Sequence, residues 1–124
     1  MKIKMTVEKT KTGYSAYADK YPVFTVGKSL EELKNNILEA VNLSLEASGK
    51  TVTEDDLKIT LDLPQFFEFY KVINAKALSD RIGMNQSLLA QYVKGIKKPS
   101  SAQTNRILKG VRQVGRELAN VQFL

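Results

Sequence analysis

Ile3, Met5 and Val7 alternate with Lys2, Lys4, Thr6 and Glu8, and a period of two predicts a strand over residues 2–8 with one buried face. Lys11-Thr12-Gly13 follows as a turn. Tyr14, Ala16 and Ala18 alternate on the return, which completes a hairpin. After Tyr21-Pro22, Val23 to Val26 form a third short strand that ends at Gly27. The period then changes to that of a helix: Leu30, Leu33, Ile37, Val41 and Leu45, with Leu38 beside them, make one apolar stripe. Ser29 to Glu32 reads as a capping box, in which the Ser29 hydroxyl and the Glu32 carboxylate each take up an unpaired backbone N–H. That helix should run to about Ala47, with Gly49 closing it. Leu57, Ile59, Leu61 and Leu63 alternate again and predict a fourth strand. The expected order is β-β-β-α-β, a small and mostly antiparallel sheet with one helix on one face.

Beyond residue 62 the pattern is helical and punctuated by glycine. Asn74 is placed to cap a helix from about Ala75 to Ile82, and Gly83 supplies the left-handed residue that ends it. Asn85 caps a second helix from Gln86 to about Lys94, with Gly95 at its end and Pro99 shortly beyond. Leu78, Ile82, Leu89 and Val93 fall where two crossed helices meet, and Met84 plugs the turn. Gln86, Ser87, Ala90, Gln91 and Lys94 line the other face. Ser100 to Gln103 opens a third helix with another capping box. Its stripe is Ile107, Leu108, Val111, Val114, Leu118 and Val121. The first three can finish a small core. Residues from Val114 to Leu124 exceed what such a domain needs to bury, so a homodimer or higher homo-oligomer interface is expected there, the alternative being that this end folds back onto the N-terminal domain.

Composition narrows the chemistry. The 124 residues include no His, Cys or Trp. Disulfides and thiol chemistry are therefore excluded, and the commonest general base and transition-metal ligands are missing. No apolar run approaches the roughly 18 residues of a membrane span, and the first residues alternate instead of forming a signal-peptide core. A soluble cytoplasmic protein without a membrane partner or a cofactor is the expectation. Charge is divided unevenly: residues 1–62 carry nine Lys and ten acids, a net −1, whereas residues 63–124 carry ten Lys and Arg against three acids, a net +7. The basic excess coincides with the paired helices, which points to a phosphate-facing surface.

The segment Leu78 to Ser100 resembles the lambda-repressor-like (XRE-type) helix-turn-helix family. The matching residues are Leu78-Ser79, Gly83, Met84-Asn85, Leu89, Tyr92, Gly95 and Pro99-Ser100. Many members carry a glutamine at the start of the first motif helix, where it buttresses the recognition helix and a phosphate; here that position is Ala75. Gln86, Ser87 and Gln91 are the candidate base readers, because Gln bonds bidentately to adenine and Ser both donates and accepts. Lys94, Lys97 and Lys98 suit phosphates. Asn74 and Lys76, at a helix N-terminus, are candidates for the opposite phosphate strand.

The N-terminal order, with Tyr14-Ser15-Ala16, Thr25-Val26-Gly27, Ser29-Leu30-Glu31-Glu32-Leu33 and Ala40-Val41, is similar to the N-terminal domain of HicB-family antitoxins. That resemblance implies an α+β chain. Residues 1–62 would be a trimmed RNase H-like β-β-β-α-β domain, and residues 63–124 an all-α helix-turn-helix domain for DNA binding and dimerisation. It also implies a type II antitoxin that occludes a small basic HicA-like mRNA interferase and represses its own operon at operator DNA. Glu8, Asp19, Glu31, Glu32 and Glu39 are the candidate toxin-binding acids, since a near-neutral and locally acidic half suits a basic partner.

Two other classes compete. One is a stand-alone transcriptional regulator whose N-terminal sheet senses a ligand or dimerises. The other is an RNase H-type enzyme, for which Asp19, Glu31, Glu32, Asp55 and Asp56 are the acids available to bind two Mg²⁺ ions. Glu31 and Glu32 serve a helix N-terminus and Asp55 and Asp56 a polar loop, so no catalytic group is assigned and the chain is expected not to be an enzyme.

Overall fold

Alternation in the first half builds a four-stranded mixed sheet. In the computed structural model, which describes residues 2–124, β1 (Ile3–Lys9), β2 (Tyr14–Ala18) and β3 (Phe24–Gly27) form an antiparallel meander. β4 (Leu57–Thr60) adds parallel to β1, so the strand order is β3-β2-β1-β4. Ile3, Met5, Val7, Ala16 and Ala18 turn to one side and are buried with Leu33, Ile37, Val41 and Leu45 of the helix α1 (Leu30–Leu45). Burial of this stripe is the main favourable contribution to the unit. The fold class is thus α+β, with β-β-β-α-β order up to Thr60.

Local chemistry explains the boundaries. Ser29 Oγ accepts the N–H of Glu32 at 3.1 Å and starts α1. The expected return bond from Glu32 is not made, because Glu32 is exposed and water satisfies the open helix end at little cost. A reciprocal box forms instead at a short 3₁₀ turn, Glu54–Asp56, where the Asp56 carboxylate takes up the Thr53 N–H at 2.9 Å. That bond is the main cause holding the Asp56 carboxyl below its usual range. At the other end of α1 the chain tightens through Glu46–Ser48 and stops at Gly49. Asn42 on α1 then grips the returning chain twice, donating to the Val52 carbonyl at 3.1 Å and accepting its N–H at 2.7 Å. Gly27 packs against the start of α1 so closely that a Cβ on it would lie 2.6 Å from the Leu33 nitrogen.

The fourth strand is shorter than its alternation predicts. Leu61 and Leu63 leave the sheet, and α2 (Leu63–Phe69) begins where the strand was expected to continue. The reason lies in Asp62 and Pro64. Asp62 Oδ1 accepts the Gln65 N–H at 2.8 Å, a cap that starts a helix, and proline is at ease in a first helical turn but cannot donate to a sheet. Gln65 in turn accepts the Lys9 N–H at 3.1 Å.

The chain divides into two compact units, one up to Gln65 and one from Phe66 to Leu124. In the second, α3 (Ala75–Ile82), α4 (Gln86–Val93) and α5 (Ser101–Ala119) follow the end of α2. Its buried side chains are Phe67, Leu78, Met84, Leu89, Tyr92 and Ile107, with Ser79 as the one buried polar residue among those described. Ser79 Oγ donates to the Lys76 carbonyl at 2.6 Å, which satisfies it inside its own helix. Among the described residues no helix is long and apolar enough to cross a membrane.

Candidate nucleic-acid interface

Two asparagines start the helices of this site. Asn74 Oδ1 accepts the Ala77 N–H at 3.0 Å and Asn85 Oδ1 the Leu88 N–H at 3.1 Å. Between them, Gly83 has φ +67°, the left-handed conformation that ends α3 and turns the chain into α4. Met84 is buried in that turn, with Leu78 and Leu89 buried on the facing helices. Tyr92 is buried where Val93 was expected; Val93 is only half-buried, since it lies about 100° round the helix.

α5 holds α3 and the start of the turn that follows it. The Arg106 guanidinium donates to the Ile82 and Gly83 carbonyls, each at 2.8 Å, so a side chain closes the C-terminal end of α3. Gly110 lets the helices approach, because a Cβ there would lie 2.3 Å from Ile82 Cγ2. Arg81 forms a forked ion pair with Glu117, at 2.7 and 2.9 Å. Hydrogen bonds from Arg81 and then Gln113 hold the Glu117 carboxyl down to about 2. Leu108 does not join the core: it is 41% exposed, because α5 turns Gln103, Ile107, Gly110, Val111 and Val114 inward. Ser100 Oγ caps α5 by accepting the Gln103 N–H at 3.2 Å, and Gln103 returns no bond.

With those contacts made, Gln86, Ser87, Gln91 and Lys94 are exposed on the solvent side of α4, and Lys97 and Lys98 are exposed in the segment before Pro99. Asn74 and Lys76 are exposed at the start of α3. Between the first turns of α3 and α4 is a cleft of about 300 Å³, lined by Ala75, Lys76, Gln86, Ser87, Leu89 and Ala90. Gln86 is not free in it. Its Nε2 donates to Asp80 Oδ1 at 3.2 Å. Asp80 is not among the site residues expected from the sequence, since its contact with Gln86 joins two helices across a turn and no periodicity marks it.

Compared with protein-family models, curated proteins and solved structures, the chain matches none.

The candidate acids of the first unit divide between two surfaces, the open side of the sheet and the solvent side of α1. Glu8 is exposed on the side of β1 opposite α1, and Asp19, just after β2, is engaged by Lys4 at 3.4 Å and by Thr6 at 3.3 Å. Glu31, Glu32 and Glu39 lie on the solvent side of α1, the first two beside a shallow depression of about 340 Å³. Among the described residues no three of His, Cys, Asp and Glu gather in a group that would hold a metal ion. The open face of the sheet is apolar at its β3 edge: Phe24 is 67% and Val26 55% exposed, with Tyr17 opposite Phe24.

Proposed function

We propose that this chain is the antitoxin of a toxin–antitoxin pair, with α3 and α4 as a helix-turn-helix that represses its own operon at operator DNA. The observation that carries the DNA-binding half is the exposed row of Gln86, Ser87, Gln91 and Lys94 on a short helix that packs against α3, whose own C-terminal end is closed by Arg106 of α5. Amide and hydroxyl groups on a rigid helix are what direct readout of a major groove requires, and the +7 charge of this half supplies phosphate attraction. The toxin-binding half is assigned to the β-β-β-α-β unit. It rests on the order of elements and on the resemblance of its motifs to HicB-type antitoxins, with a HicA-like interferase as the partner.

A stand-alone regulator is the second reading. The exposed Phe24 and Val26 favour it, since an uncharged apolar strand edge suits a second copy of the chain better than it suits a basic toxin. Coexpression with the product of the neighbouring reading frame separates the two. The antitoxin reading expects a small basic protein that copurifies with this chain and whose toxicity this chain relieves. Failure of both, with operator binding retained, would leave the regulator.

A further inference from the structure

We infer that Asp80 sets the base preference of Gln86 by fixing which edge of its amide faces outward. The inference rests on the reading of α4 as a DNA-reading helix. The two residues belong to different helices, Asp80 to the second half of α3 and Gln86 to the first turn of α4, and they meet across the Gly83 turn at 3.2 Å. A carboxylate only accepts, so the amide must present its NH₂ group to it; the flipped amide would set oxygen against oxygen. Of the other residues that line the same cleft, Lys76 and Ser87 carry polar side chains but make no hydrogen bond to Gln86, and Ala75, Leu89 and Ala90 offer no side-chain polar atom. The Asp80 bond is thus the one side-chain hydrogen bond that Gln86 makes among the described residues. No Lys or Arg among the described residues forms an ion pair with Asp80, so none competes with the amide for its carboxylate at that distance.

A glutamine with no such neighbour flips freely and offers either an acceptor or a donor to the base it meets. Held by Asp80, it directs its carbonyl oxygen away from the carboxylate, and donation to a charged acceptor polarises the amide and makes that oxygen a better acceptor. The oxygen takes a hydrogen bond from the exocyclic amino group of adenine or cytosine, and it is repelled by O4 of thymine and O6 of guanine. The second N–H of the amide remains for adenine N7. Adenine satisfies both atoms and is the preferred base. Asp80 is a positioning residue here and touches no base itself.

The test is selection from a randomised duplex library with the full-length chain and its Asp80→Ala, Asp80→Asn, Gln86→Ala and Asp80→Ala/Gln86→Ala variants. The base pair read by Gln86 is the one whose preference Gln86→Ala abolishes. At that position the unsubstituted chain is expected to favour adenine over thymine by about tenfold or more. Both Asp80 variants should lower the ratio to about threefold or less, because alanine removes the acceptor and asparagine can accept or donate, without lowering affinity for random DNA. In the Gln86→Ala background, Asp80→Ala should change nothing further. If Asp80→Ala and Asp80→Asn keep the original preference, or if Asp80→Ala acts equally without Gln86, the positioning role is overturned while the DNA-reading role stands. If the unsubstituted chain enriches no sequence, the DNA-reading role is overturned and the positioning role with it.

Discussion

At Gly110 a methyl group would meet Ile82 Cγ2 at 2.3 Å and Leu78 Cδ1 at 3.5 Å, whereas at Gly115, five residues along the same helix, nothing lies within 4 Å. The two glycines therefore respond to alanine with opposite sign. Gly110→Ala forces α5 away from α3 and is expected to cost about 1–3 kcal/mol, as overpacking does. Gly115→Ala removes only backbone freedom and should stabilise by about 0.5–1 kcal/mol. Urea melts of the two variants check both signs. Glu117 gives a pH signature. Its folded carboxyl sits at about 2 against an ordinary 4.5, so its contribution is complete above 4.5 and is lost as the pH falls from there towards 2. The pair with Arg81 is at the surface, where screening keeps such contributions small. The direct measurement is a carboxyl NMR titration: the Glu117 midpoint should lie well below the ordinary 4.5 and rise towards it in Arg81→Ala.

At the scale of elements, α5 outruns its own core. Ile107 and Gly110 are packed, but Leu118 is 67% exposed, and Val121 and Phe123 beyond the helix are exposed too. A second copy of the chain is the expected cover. Leu118→Glu should then lower self-association by tenfold or more in sedimentation equilibrium while leaving the helical spectrum unchanged, an order-of-magnitude figure for losing a buried leucine at an interface. An unsubstituted chain that stays monomeric at the same concentrations would remove this role. Elements with a single strong period and a cap were legible in the sequence: β1, β2, α1, α3 and α4 all follow from alternation or stripe plus Ser29, Asn74 and Asn85. α2 was not, because Leu57, Ile59, Leu61 and Leu63 continue one alternation across a real boundary. Asp62 and Pro64 overrule it locally through a cap and a missing donor. The candidate site was half legible. Spacing found the exposed face of α4, but periodicity has no means of showing that Asp80 occupies Gln86 or that Arg106 closes α3, since both contacts are tertiary.

For the whole molecule, the charge boundary and the structural boundary coincide. Residues 63–65 carry no charge, so the unit up to Gln65 keeps the net −1 and the unit from Phe66 the net +7. Binding to DNA should therefore weaken steeply with salt. Lys97→Ala with Lys98→Ala should lower affinity for every sequence and reduce the slope of log K against log salt by about 1–2, which fluorescence anisotropy across a salt series measures. An unchanged slope would remove those lysines from the interface. The near contact at Gly27 bears on a different property, the tolerance of the chain to changes in loop length. Gly27 has no room for a Cβ against the first turn of α1, so a residue inserted between Gly27 and Leu30 would shift the helix stripe off the sheet. Gly49 has open space around it and exposed neighbours on both sides. Tags, or a split of the chain, belong there and not at the apparently similar glycine turn before α1.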